Sequence, residues 1–424
     1  MIRKLLPILG ITFIDIVGFS MLIPMLPYFV THFGLSAVVV GVLFATFSFC
    51  QLVSAPLWGY ISDRLGRKMV LIISQIGATI GWAMLGLAPN IASAIAVAPI
   101  AVVFAARIVE GVSGGNISIT QAYVADLVAP RERARAFGFI SAMFAAGMVF
   151  GPFSGGILYE HFGFATPFLV AAGLQFVTLL LTITMLPESH TRRKDQERVG
   201  LDAIVGSFLK PRLARLLWQK LAIALALYGW FAVFALFLQR QLGFNLTETD
   251  YLFSIFAVVN VVMNAFVVGR VSAQLGDRSM SNVGLACLVA GFTLVPFVGH
   301  SLALVGTTML LFGFGMALAN TGITALISNA ASDREQGTVL GTSSSLDSLS
   351  GILAPPASTG MLGAFGPRFA GIESFTFASI AFAMGMINAR RDEIYATDDR
   401  VQARGGDGAA TLAAEVEVVD GGLR

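Results

Sequence analysis

Charge is what this chain of 424 residues most lacks: Asp, Glu, Lys and Arg make up 12% of it, against about 25% in soluble domains. With 56% hydrophobic residues and a mean hydropathy of +0.79, that scarcity excludes a soluble globular protein. Cysteine is nearly absent too. Cys50 and Cys287 both fall in apolar runs, which excludes a disulfide framework and a cysteine-based metal cluster. Histidine is also scarce, and the four, His32, His161, His190 and His300, are scattered over separate loops, so no metal is expected. A phosphate-binding loop of the form G-x-x-x-x-G-K-[ST] is also missing, which disfavours ATP-driven work by this chain. No catalytic residue and no cofactor are expected, and the chain does not read as an enzyme.

What the chain has in abundance is apolar length. About 20 apolar residues span the hydrocarbon of a bilayer as a helix. Twelve runs qualify, at 5–29, 38–58, 69–88, 94–125, 136–158, 165–186, 218–239, 250–269, 280–298, 302–328, 338–362 and 370–389. The first is too long for a signal peptide and lacks a small-residue cleavage site, so it reads as a membrane helix. One long polar break, 187–217, divides the runs six and six. The expected organisation is an N-terminal six-helix bundle (1–186), a linker (187–217), a second bundle (218–389) and a disordered tail (390–424). Within the linker Leu201, Ile204, Val205, Phe208 and Leu209 recur at helical spacing beside Lys210, Arg212 and Arg215, the pattern of an amphipathic surface helix.

Lys and Arg in the short loops set the orientation. One side holds Arg3, Lys4, Arg64, Arg67, Lys68, Arg131, Arg133, Arg135, the linker cluster, Arg270, Arg278, Arg334 and the tail. The other holds Arg240 and Arg368. Both termini are therefore expected in the cytoplasm, with the protein in the cytoplasmic membrane. The halves also echo each other. GYISDRLGRK (Gly59–Lys68) follows the second run and GRVSAQLGDR (Gly269–Arg278) the eighth; APRERARAFG (Ala129–Gly138) follows the fourth and SDREQGTVLG (Ser332–Gly341) the tenth. Two pairs in register on one side are what a parallel duplication of six spans leaves.

These residues carry a resemblance. Gly59–Lys68 matches the cytoplasmic signature G-x-x-x-D-R-x-G-R-K of the major facilitator superfamily. RIVEGVSGG (Arg107–Gly115) is similar to its fourth-helix signature, and GMVFGPFSGG (Gly147–Gly156) to the G-x-x-x-G-P-x-x-G-G pattern of its antiporters. YVADLVAPRERARAFGF (Tyr123–Phe139) is similar to tetracycline efflux proteins. The resemblance implies an all-α integral membrane fold of twelve helices in two pseudo-symmetric six-helix bundles. It also implies alternating-access export of drugs or small organic molecules, acting as a monomer and driven by the proton gradient. An importer of a nutrient, or a sensor or channel on the same scaffold, are the alternatives. The chain departs from the tetracycline carriers by having no histidine in 250–269 and no acid in 69–88 or 280–298.

Several residues are candidates for the site. Asp15 lies about ten residues into the first run, near mid-membrane at ~1.5 Å per residue, where a carboxylate marks function by default. Arg107 and Glu110, three apart, share a helix face. Asp347 is the one acid well inside the eleventh run, in GTSSSLDSLSG. The resemblance gives Arg107 a part in proton coupling, with Glu110 releasing it to Asp15 on protonation. Gln51, Asn116, Trp230 and Asn320 are candidates to line the cavity. The resemblance also implies that Gly59, Asp63, Arg64, Gly66, Arg67 and Asp126 form a cytoplasmic gate, in which Asp63 meets Arg67, Asp126 and the start of the eleventh helix. Gly147, Gly151, Gly155 and Gly156 permit close helix packing, and Pro152 is expected to bend that helix.

Overall fold

The computed structural model describes residues 2–114, 116–128, 132–189, 206, 208–331 and 336–389. The tail and most of the expected linker helix lie outside these residues. No strand occurs among them. Helices take up nearly all of the apolar runs: α1 (Ile2–His32), α2 (Ala37–Leu65), α3 (Arg67–Gly86), α4 (Ala88–Ala94), α5 (Pro99–Ser113), α6 (Asn116–Leu127), α7 (Arg133–Phe162) and α8 (Thr166–Met185). After the linker come α9 (Pro211–Leu242), α10 (Leu246–Val262), a π-turn (Met263–Val267), α11 (Val268–Leu294), α12 (Leu302–Ala330), α13 (Gln336–Phe365) and α14 (372–389).

Among the described residues nine stretches are long and apolar enough to cross a membrane, or ten if the bent pair α4–α5 counts as one. Three features separate that number from twelve. The run 94–125 is not one helix: α5 covers Pro99–Ser113, set at 116° to the short α4 that precedes it, and α6 starts afresh at Asn116. Pro99 opens α5, where its missing N–H costs nothing, and Gly114 ends it. The stretch Leu246–Phe297 counts once but holds two helices, broken at Gly276. Finally, α13 is too polar through GTSSSLDSLSG to pass by composition.

The duplicated loops fold alike. Gly66 (φ 98°, ψ 153°) and its counterpart Gly276 (φ 77°, ψ 158°) occupy the same region, one essentially closed to residues with a Cβ. Their surroundings match as well. Arg67 Nη1 donates to Ser62 Oγ, and Ser272 Oγ donates to Asp277 Oδ1 at 2.5 Å. Arg67 Nε lies 3.6 Å from Asp126 Oδ2, and Asn329 Nδ2 donates to Asp277 Oδ2 at 3.4 Å. Lys68 Nζ donates to the Ile183 carbonyl at 2.8 Å, and Arg278 Nη1 to the Asn388 carbonyl at 2.6 Å. Each pair occupies equivalent places in the two halves.

Hydrogen bonds between the halves gather at the opposite end. Tyr28 OH donates to the carbonyls of Phe244 (2.7 Å) and Asn245 (3.0 Å) and shares a hydrogen bond with Thr249 Oγ1 (2.8 Å). Gln239 Nε2 donates to Thr31 Oγ1 at 3.4 Å, and Thr247 Oγ1 to the Gly156 carbonyl at 3.5 Å. Asn245 and Glu248 cap α10 reciprocally there, satisfying two orphan donors. Gly41 of α2 closes on Pro355 and Thr359 of α13, and further along Gly351 closes on Ser48.

Candidate functional site

In the N-terminal half α5 positions Arg107 and Glu110 on one face, and their side chains form an ion pair at 2% and 6% exposure. Small residues make that burial feasible. A Cβ on Gly81 of α3 would collide with Glu110, and one on Gly111 would meet Cys50 and Phe47 of α2. The Arg107 guanidinium lies 5.1 Å from the Phe47 ring centroid, and Phe47 lies 6.1 Å from Phe19 of α1. Asp15, half-buried, shares the Phe19 face one turn away. Gly18, next on α1, rests on Trp82 of α3, adjacent to Gly81. One packed layer thus runs from Asp15 through aromatic rings to the Arg107–Glu110 pair.

In the C-terminal half Asp347 and Asn320 meet through a residue that sequence reasoning missed. Lys220 Nζ of α9 pairs with Asp347 Oδ1 at 2.9 Å and donates to Asn320 Oδ1 at 2.9 Å. Lys220 is 5% exposed, whereas the Asp347 side chain is 33% exposed, so the pair opens on the Asp347 side. Lys220 is hidden in the sequence because the apolar run begins at 218, which makes a lysine two residues in look like a flank. In fact α9 starts at Pro211, and Lys220 lies well inside it.

Other expected cavity residues are placed differently. Gln51 Nε2 donates to the Gly114 carbonyl at 3.0 Å and so ties down the end of α5. Trp230 is buried among Phe234, Phe237, Phe292 and Phe312, with ring centroids 4.8–5.9 Å away. It belongs to the aromatic core of the C-terminal half, because α9 turns this face inward rather than toward the other half. The side chain of Asn116 lies outside the described residues.

At the duplicated loop Arg67 joins Asp126 and Ser62, while Arg64 covers the Tyr60 ring at 4.3 Å. Gly59 faces open space. The side chain of Asp63 lies outside the described residues. A contributor from the linker was not foreseen: Glu188 accepts from the backbone N–H groups of Arg67 (2.9 Å) and Lys68 (3.2 Å), capping α3 where Gly66 has no side chain to do so. A Cβ on Gly66 would collide with that carboxylate.

The glycine motif of α7 divides its contacts. Gly147 and Gly151 seat α1 through Ile16 and Ser20, whose Oγ donates to the Gly147 carbonyl at 2.9 Å. Gly155 meets Met21, while Gly156 turns to Asp250 and Thr247 of α10 in the other half. Pro152 sits inside an unbroken helix, so the motif here is a packing surface. Two buried acids were also missed. Asp250 is fully buried, and Glu373 of α14 is 6% exposed, accepting from Ser358 and, at 3.5 Å, from Ser374. Both stand within a turn or so of a span's start, where an acid reads as a helix cap.

The family model described as Major Facilitator Superfamily matches residues 8–355 and also 221–404. "Tetracycline resistance protein, class C" of Escherichia coli is 30% identical over 360 residues, covering 83% of this chain and 88% of that protein. "Multidrug resistance protein 2" of Bacillus subtilis (strain 168) is 27% identical over 357 residues, covering 81% and 84%. Among solved structures, a bacterial homologue of the human lysosomal transporter Spinster, inward-facing and unoccupied, superposes with a TM-score of 0.74. It shares 17% identity over 92% of this chain and 96% of that one, a likeness of fold alone.

Proposed function

The chain belongs to the major facilitator superfamily, and from that premise we propose that it is a proton-coupled exporter of amphiphilic drugs or small organic molecules. Its relatives named for tetracycline and multidrug resistance support the direction and the substrate class. The observation that carries the coupling is the Arg107–Glu110 pair, buried to 2% and 6% in a layer that leads to Asp15. A buried pair is held together because either partner alone is an uncompensated charge. Protonation of Glu110 neutralises it and frees the guanidinium to engage Asp15 across the Phe19–Phe47 contact. A substrate cation competing for the same carboxylates expels the proton. On the far side Lys220, Asp347 and Asn320 form a second polar group, with Asp347 open to exchange partners.

The loop charges orient the protein in the cytoplasmic membrane with the Gly66 loop, and both termini, in the cytoplasm. The Tyr28 end then faces outward, and its hydrogen bonds between the halves support an outward-closed state. The protein works as a monomer, each bundle rocking against the other about the mid-membrane groups. The proton gradient is the energy source; no cofactor enters the cycle. The test is transport in proteoliposomes under an imposed pH gradient. Asp15→Asn is expected to abolish gradient-driven accumulation while the purified protein stays folded. Wild-type coupling in that variant would sink the assignment.

A further inference from the structure

Asp250 plays no part in that cycle, yet it occupies an unusual place. It is the fifth residue of α10 and is 0% exposed, and neither carboxylate oxygen has a hydrogen-bond partner among the described residues. Its neighbour across the divide is the end of the α7 glycine motif. A Cβ on Gly156 would lie 3.0 Å from Asp250 Cβ and 3.3 Å from Oδ2, and one on Gly155 would lie 3.6 Å from Oδ2. The absent side chains are therefore what lets the carboxyl lie against the other half. Hydroxyls nearby are committed elsewhere. Ser254 donates to the Asp250 backbone carbonyl at 2.8 Å, Thr247 to the Gly156 carbonyl, and Thr249 is bound to Tyr28.

Charge compensation is missing as well. On the elements packed against α10, the titratable residues at this end are Tyr28 and His32 of α1, Tyr159, Glu160 and His161 of α7, and Arg240 of α9. Helix α12 and the π-turn carry none. On α10 itself stand Glu248, whose carboxylate accepts from the Asn245 N–H at 2.8 Å, and Tyr251. No ion pair joins Asp250 to any of them among the described residues.

We propose that Asp250 is a proton-binding site that makes closure of the Tyr28 end conditional on protonation. An ionised carboxylate cannot be buried without a partner at tolerable cost, whereas a neutral carboxyl fits the glycine surface. When the halves part at this end, water reaches the oxygens and the group ionises, releasing its proton to that water. Closing again requires a proton to be taken up from the same side. The glycine surface and the acid thus work as one device, with the motif supplying the space and Asp250 the condition. The device depends on this interface alone and operates for either direction of transport.

The test needs no substrate, so its failure is distinct from failure of the transport reading. Full-length protein with Cys50→Ser and Cys287→Ser would carry spin labels at His161→Cys and Phe297→Cys, both exposed at this end and one on each half. Pulsed distance measurements in lipid nanodiscs across acid to alkaline pH are expected to show a short distance in acid and a growing long-distance population in base. Asp250→Asn, neutral and isosteric, should hold the short distance at every pH; Asp250→Glu should keep the pH-dependent shift. Should the Asn variant fail to fold, Asp250→Ser is read in the same way. A wild-type distance that ignores pH, or a neutral variant that titrates as wild type does, would overturn the proposal.

Discussion

The loops at Gly66 and Gly276 share a backbone and disagree about charge. Each has a glycine in the same conformation, a serine five residues before the key polar side chain, and a basic residue donating to a carbonyl near the end of the last helix of its half. In the first, the key residue is Arg67 facing Asp126; in the second it is Asp277 facing Asn329. Duplication has kept the turn and its strut and reversed the sign of the central residue. The turn is therefore a requirement of topology, and the charge is free to specialise. The buried pairs of the two halves differ in the same spirit. Arg107–Glu110 is sealed, and Lys220–Asp347 opens on one side.

The largest effect should come from the sealed pair. Glu110→Gln leaves the Arg107 guanidinium buried without its counter-charge, a change that costs about 3–5 kcal/mol in buried pairs generally. Asp347→Asn should cost distinctly less, because Lys220 keeps the Asn320 acceptor and the lost carboxylate is a third exposed. Heating in detergent followed by size-exclusion chromatography would rank the two. Equal loss of monodisperse protein would contradict the difference drawn between the halves.

The glycines come next. Alanine at either position is forced into the glycine-only region, at ~1–3 kcal/mol. Gly66→Ala also collides with Glu188, whereas nothing among the described residues stands within 4 Å of a Cβ at Gly276. The first substitution should therefore lower the midpoint of thermal inactivation more than the second, and the reverse order would refute the role given to Glu188. The smallest effect belongs to the loop charges. Asp126→Asn breaks a 3.6 Å pair whose acid is a third exposed, and exposed pairs contribute only about 0–1 kcal/mol. Its stability should be nearly that of wild type. Any functional loss then belongs to gating, to be read as a changed transport rate at unchanged melting temperature.

Much of this architecture was legible in advance. Loop placement, the duplication and the glycine surface follow from apolar run length, from charge in short segments and from small residues at four-residue spacing. What the sequence concealed has a common physical cause. Lys220, Asp250 and Glu373 lie near the ends of apolar runs, where a charge is ordinarily solvated or capping a helix. Only the tertiary fold shows that other helices cover those ends. The break in 94–125 was concealed for the opposite reason, since Val112, Ser113, Gly114 and Gly115 are apolar or small and leave the run uninterrupted. Glu188 could not be read at all, because a cap supplied from 120 residues away leaves no local pattern.

That distant cap bears on where the polypeptide can be divided. If the halves were produced as two chains, a cut after Ser189 would leave Glu188 with α3, and leave the Pro187 carbonyl as acceptor for the Tyr123 hydroxyl, at 2.8 Å. A cut before Pro187 would strip both from the first fragment, although it removes no membrane helix. The N-terminal bundle is thus complete as a folding unit only when it carries the opening residues of the linker.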